Sequence, residues 1–282
     1  MKSGLVLEGG ALRAVFSAGV CDALLESGVG VDYFVGVSAG VAYGVSYLSG
    51  QPRRNLEVVT TYAPDKRYMG MNNLLDKNNR SYFGLKFAYD TIPNQLVPFD
   101  YDAYEAWPGL AEAVVTNLNT GKADYLPLPR RDTKAVVVQA SCAMPLMFPI
   151  YHIDGQPYLD GGVADPIPWQ RALDQGCDRV VVVLTRPRDF VRKPDTLMPM
   201  IRRKYKDYPN FVAAMESRAQ RYNEDRARMF QLEREGRLLV IAPETTCGVS
   251  RTERNTEKLR LLWGHGYQMA VDRMEEIKNY LC

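Results

Sequence analysis

The sequence predicts a three-layer α/β/α fold on a mostly parallel central sheet, and three observations carry that expectation. The opening fifty residues alternate short apolar runs with glycine turns and amphipathic segments, giving strand, turn and helix twice over. Residues 135–138 and 180–184 are β-branched runs of the kind found in strands buried on both faces, as a parallel sheet requires. Finally, 282 residues with 46% hydrophobic and 24% charged composition suffice for one large α/β domain with a buried core. No linker, internal repeat or low-complexity tract divides the chain. A core over residues 1–185 is expected, with a C-terminal helical extension over 186–282 packed on the same domain.

The elements follow in order. Residues 5–7 form the first predicted strand, and residues 14–26 place apolar side chains at helical spacing before a stop at Gly28. Residues 33–35 make a second short strand that runs into the turn Gly36-Val37-Ser38-Ala39-Gly40, followed by a helix-compatible stretch at 41–45. A similar Gly44-Val45-Ser46 lacks the closing glycine and falls inside that helix. Residues 62–107 are rich in Asn, Tyr and Phe and broken by prolines. They predict either an aromatic outer layer of the core or a cap over an apolar substrate pocket. Residues 111–116 and 124–126, joined through Gly121, read as a hairpin. Asp154-Gly155 has the turn chemistry of another, which leaves Asp160 at the end of its second strand. Residues 211–235 predict a long charged helix stopped by Gly236, residues 238–242 a strand, and residues 256–281 a helical stretch containing Gly264 and Gly266.

Composition narrows the function. A formal net charge of +2 is too small for a nucleic-acid binder driven by phosphate contacts. Five scattered cysteines without a CxxC pair argue for reduced, mostly buried thiols, and with only two histidines neither a metal site nor a cofactor is expected. The N-terminus reaches Glu8 and two glycines after a very short apolar run, unlike a signal peptide, and no apolar segment approaches the ~20 residues that span a bilayer. A cytoplasmic protein is expected. Within residues 186–206, eight basic residues stand against Asp189 and Asp195, a local charge of +6. That run predicts a solvated loop and helix start, or a peripheral contact with anionic headgroups.

Three motifs carry chemistry. A serine between two glycines at Gly36 to Gly40 suits a nucleophile, because small flanking residues let the backbone turn sharply and let substrate approach. The stretch Glu8-Gly9-Gly10-Ala11-Leu12-Arg13-Ala14 follows the first strand and precedes a helix, where backbone N–H groups can stabilise an anion. A dinucleotide-binding turn fits this stretch poorly, since later glycines of that pattern are Ala11 and Ala14. Third comes Asp160-Gly161-Gly162, an aspartate that either caps a loop or acts as a base. A Ser38, Asp160, His265 triad has the chain order of α/β-hydrolases, but Ser38 stands very early and His265 sits in a helical stretch. His152, in the hairpin before Asp160, reads as structural.

In this order and spacing, together with Ala140-Ser141-Cys142-Ala143-Met144-Pro145, the motifs resemble those of the patatin-like phospholipases over at least residues 4–185. The resemblance implies a lipid acyl hydrolase with a Ser-Asp dyad. Ser38 would be nucleophile, Asp160 base, and the amides of Gly9, Gly10 and Ala11 the oxyanion hole, with Arg13, Gly36, Gly40, Gly161 and Gly162 in support. Arg13 matches the family's basic position and could equally be a structural partner of Glu8. The family usually carries G-G-G-x-[RK]-G, and this chain has alanine at 11 and 14. Alanine keeps its N–H but costs ~1 kcal/mol where a left-handed backbone is needed. A lipid ester substrate is therefore expected. A lipid-binding protein that keeps the fold without catalysis, and a general carboxylesterase or thioesterase, are the alternatives.

Overall fold

The computed structural model describes residues 1–281. Strand β1 (Ser3–Leu7) is followed by a 3-10 turn, Ala11–Ala14, and helix α1 (Val15–Glu26). Strand β2 (Tyr33–Val37) runs into α2 (Ala39–Leu48), and α3 (Arg54–Tyr62), α4 (Met71–Leu75), a π-helical segment Phe87–Leu96 and α5 (Tyr101–Ala106) lead to β3 (Leu110–Asn117). Next come β4 (Ala123–Pro127), α6 (Val136–Ser141), the hairpin β5 (Tyr151–Ile153) and β6 (Gln156–Asp160), α7 (Trp169–Asp174) and β7 (Arg179–Val183). The chain closes with α8 (Met198–Lys204), α9 (Pro209–Arg234), β8 (Leu238–Ile241), α10 (Thr256–Asp272) and α11 (Met274–Leu281).

The strands form one sheet in the order β5-β6-β3-β2-β1-β7-β8, with β4 also on β3. Strands β3, β2, β1, β7 and β8 are mutually parallel, and the two hairpins add the antiparallel edge. Alternation along each central strand sorts side chains to two cores. Leu5, Leu7, Phe34, Val181 and Val183 face the layer of α1, α2 and α10. Val6, Tyr33, Val35, Val180 and Val182 face Trp169 of α7 and Tyr222 and Met229 of α9. The expected three-layer α/β/α architecture is therefore present, with helices on both faces of the sheet. Residues beyond 186 supply β8 as well as helices.

Two expectations need correction. Residues 135–138 are not a strand: they open α6, because the Asp132 carboxylate accepts the N–H groups of Ala135 and Val136 (both 2.9 Å) and starts a helix there. A four-residue apolar run carries no period that separates the two structures, so a local cap decides. The helical stretch at 256–281 is broken at Arg273 into α10 and α11. Among the described cysteines, Cys21, Cys142 and Cys177 are buried and Cys247 is half-buried, all as free thiols; Cys282 lies outside the described residues.

Candidate active site

The register on β3 brings the two ends of the site together. Strand β2 runs parallel to β3 and ends with Val37 opposite Val114. Strand β6 runs antiparallel to β3 and ends with Asp160 opposite Val115. Since β4 occupies the other edge of β3 along both stretches, β2 and β6 meet end to end on one edge. Ser38, the next residue after β2, is thereby delivered to the Asp160 carboxylate.

Ser38 sits at φ 55, ψ −129, outside the ordinary basins of an L-residue, a conformation that costs about 1–3 kcal/mol unless its surroundings hold it. They do. Its carbonyl accepts the Val41 and Ala42 N–H groups at 3.1 Å, and its own N–H donates to the Ser141 hydroxyl at 2.8 Å. That hydroxyl in turn donates to the Val114 carbonyl at 2.6 Å, tying the turn to β3. A Cβ on Gly40 would stand 2.5 Å from the Leu7 carbonyl oxygen, so the turn packs on β1 only with glycine there. Gly36 lies opposite Leu7 and Ala113 in the sheet.

Asp160 is buried, and its Oδ1 accepts the Gly162 N–H at 2.8 Å. Burial raises its pKa above the ordinary carboxylate value; the Arg218 guanidinium, the nearby Ser38 hydroxyl, the Gly162 N–H and the charge of Arg251 oppose that rise. The backbone of this loop is pinned twice: Thr116 Oγ1 donates to the Asp160 carbonyl (2.8 Å) and Arg218 Nε to the Gly162 carbonyl (2.7 Å). Gly161 and Gly162 form a buried 3-10 turn against β3.

The glycine turn lies against the serine: a Cβ on Gly9 would be 3.0 Å from the Ser38 Cβ. Among the described residues, the N–H groups of Gly9, Gly10 and Ala11 donate to no protein acceptor, whereas Arg13 donates to the Gly10 carbonyl at 3.2 Å. Ala11 is left-handed at φ 49, so the position where the family favours glycine is strained here by about 1 kcal/mol. The Glu8 carboxylate does not pair with Arg13. It accepts from the Thr185 N–H (2.6 Å), the Thr185 hydroxyl and the Tyr222 hydroxyl (2.6 Å), linking the turn to β7 and α9. Arg13 is buried with Nε unpartnered, and its pKa is pushed down to about 9 by burial, then by Arg186 and Arg251, against the pull of Glu8.

A cavity of about 170 Å³ opens beside Ser38, walled by Leu12, Val45, Ile92, Phe83, Phe99 and Phe148 among others. Tyr68, Tyr89, Tyr101 and Tyr104 also reach it, whereas Tyr62, Tyr82, Phe87 and Trp107 pack on the core. The aromatic segment thus serves as both cap and outer layer. His265 is not among the cavity's lining residues; in α10 it meets the Phe16 ring edge-on with Nδ1 unpartnered. His152 is exposed on β5. Three supports were not legible in sequence: Ser141, Arg218 and Thr185. Ser141 alone carried a signal, its place in the motif at 140–145.

A family model described as patatin-like phospholipase matches residues 5–173. The chain belongs to the patatin-like phospholipase family. A second model, a domain of unknown function (DUF6363), matches residues 208–282. Among curated relatives, the chain is 27% identical to the uncharacterized protein YjjU of Escherichia coli, over 70% of this chain and 56% of that one. It is 26% identical to the uncharacterized NTE family protein Rv1063c of Mycobacterium tuberculosis, over 64% and 48% respectively. The chain thus spans about half the length of the curated relatives it matches. The crystal structure of VipD from Legionella pneumophila aligns with 98% of this chain and 67% of its own at TM-score 0.46 and 16% identity. The family is one of lipid hydrolases. No helix among the described residues is long and apolar enough to cross a membrane.

Proposed function

We propose that this chain is a serine acyl hydrolase that cleaves carboxylic esters of lipids through a Ser38–Asp160 dyad and an acyl-enzyme. The observation that carries the reading is the meeting of the Ser38 turn and Asp160 on one edge of β3, beside an apolar cavity. The ester carbonyl lies with its oxygen toward the free N–H groups of Gly9, Gly10 and Ala11. Ser38 Oγ attacks the carbonyl carbon as Asp160 takes the hydroxyl proton, and the tetrahedral oxyanion forms against those amides. Collapse expels the alcohol, which receives the proton from Asp160, and leaves the acyl chain on Ser38. Water then attacks by the same proton path and releases the fatty acid.

Hydrolysis of a p-nitrophenyl ester tests the assignment. Ser38→Ala and Asp160→Asn should each cost about a thousandfold or more in kcat, while His265→Ala keeps most of the activity. A folded but dead His265→Ala would overturn the dyad. A fluorophosphonate probe should label Ser38 stoichiometrically; absence of labelling and of turnover would favour a lipid-binding role for the same fold.

A further inference from the structure

The apolar cavity beside Ser38 holds polar groups that the dyad does not use. Elsewhere in the molecule, buried tyrosines have partners. Tyr33 donates to Glu112 (2.5 Å), Tyr47 to the Val29 carbonyl (2.8 Å), Tyr158 to Asp124 (3.0 Å) and Tyr222 to Glu8 (2.6 Å). The Tyr205 hydroxyl accepts the Leu146 N–H at 2.9 Å. Among the described residues, the buried tyrosines whose hydroxyls meet no protein donor or acceptor are Tyr43, Tyr68 and Tyr104, and all three line this cavity. None of these hydroxyls is sealed off by protein atoms, so they open on the cavity itself.

Tyr104 stands near Arg130 and Asp132. Tyr43 and Tyr68 instead stand near each other and near the Cys142 thiol, and that thiol lies beside the Ser38 hydroxyl. Tyr43 is on α2, the helix that begins at the residue after Ser38, and Tyr68 lies between α3 and α4. Burial raises the pKa of both phenols, so each keeps its proton and offers a donor. Any water that serves these hydroxyls is displaced when an acyl chain enters. A plain hydrocarbon chain then leaves two donors unpaired in a mostly apolar enclosure, whereas a chain carrying an acceptor oxygen at that depth replaces the lost hydrogen bonds. A cavity of about 150 Å³ accepts benzene. At about 170 Å³, this one encloses on the order of six carbons, which sets the oxygen among the first carbons of the chain.

We propose that Tyr43 and Tyr68 make the cavity selective for acyl groups that carry a hydroxyl or oxo oxygen along the chain, over plain alkanoyl groups of the same length. The assignment deepens the hydrolase reading and rests on it for the ester; recognition of the oxygen stands on the cavity's own hydroxyls. The two phenols move no proton in the reaction. They set which chain is held while Ser38 attacks.

Two measurements keep the pocket and the hydrolase reading apart. The first compares kcat/KM for the p-nitrophenyl esters of 3-hydroxyhexanoate, 5-oxohexanoate and hexanoate, which share a leaving group. The better of the two oxygenated esters should be favoured over hexanoate about tenfold or more. Tyr43→Phe and Tyr68→Phe together should bring that ratio near one; each alone should lower it severalfold, and the single variants carry the test if the pair fails to fold. The second measurement titrates the neutral amides of the same three acids into Ser38→Ala protein by calorimetry, where the same preference and the same loss are expected without turnover. A wild-type protein that treats plain and oxygenated chains alike would overturn the proposal. So would a preference that survives both substitutions, or equal losses on all three esters, which mark a packing role. A fall in Tm with the ratio unchanged would mark structural hydroxyls and overturn it too. A chain inert toward every ester that still prefers the oxygenated amides through Tyr43 and Tyr68 would overturn the hydrolase reading and uphold the oxygen site.

Discussion

At the scale of single residues, Asp160 is held between burial, which favours its neutral form, and the positive charges and donors around it. Its folded pKa stands above the ordinary carboxylate value, and only the ionised form can accept the Ser38 proton. Activity should therefore fall as pH drops through that raised pKa, with the acid limb of kcat/KM above pH ~4. Removing the Arg218 charge lifts an opposing influence, so Arg218→Met should move the limb to still higher pH; a limb that shifts downward would contradict this account. Arg13 matches the family's basic position and is nonetheless hydrogen-bonded to neither Glu8 nor any partner through Nε.

At the scale of elements, two turns hold unfavourable backbone in place. The Ser38 turn depends on Ser141, whose side chain joins the Ser38 N–H to the Val114 carbonyl. Ser141→Ala leaves that buried N–H without an acceptor, which should cost about 1–3 kcal/mol in denaturant unfolding and lower kcat as the turn loosens. The glycine turn has the opposite prospect. Ala11 adopts φ 49, so Ala11→Gly relieves strain; the protein should be as stable or up to ~1 kcal/mol more so, with kcat preserved because the N–H remains. Thermal melts and ester hydrolysis read both.

At the scale of the whole molecule, the C-terminal helices are part of the fold's frame. Helix α10 crosses α1 at backbone contact: a Cβ on Gly19 would collide with the Trp263 carbonyl and one on Gly266 with that of Phe16. Gly19→Ala should therefore destabilise by about 1–3 kcal/mol, although alanine is the better helix former. The same crossing buries Asp22, which accepts the Trp263 indole N–H at 2.7 Å and whose pKa is raised to about 6, chiefly by burial. A carboxyl with a raised folded pKa binds its proton more tightly in the folded state, so stability falls as pH rises from its unfolded value of ~4 to about 6. Asp22→Asn should raise Tm at pH 8 by more than at pH 4, measured by calorimetry.

What the sequence determined by itself is what short-range chemistry specifies. The serine turn needed only small residues at 36 and 40 between a strand and a helix, the hairpins only their turn residues, and the central strands only short apolar runs. Residues 135–138 resisted the same logic, because the Asp132 cap outweighed a pattern too short to have a period. The tertiary structure alone decided which groups the serine meets. The end-to-end approach of β2 and β6 is written in the register of β3, and Arg218 on α9 and Arg251 in the loop before α10 act on Asp160 only after the sheet brings its distant strands together. Register and packing depend on pairings between segments far apart in the chain, and no local propensity encodes them.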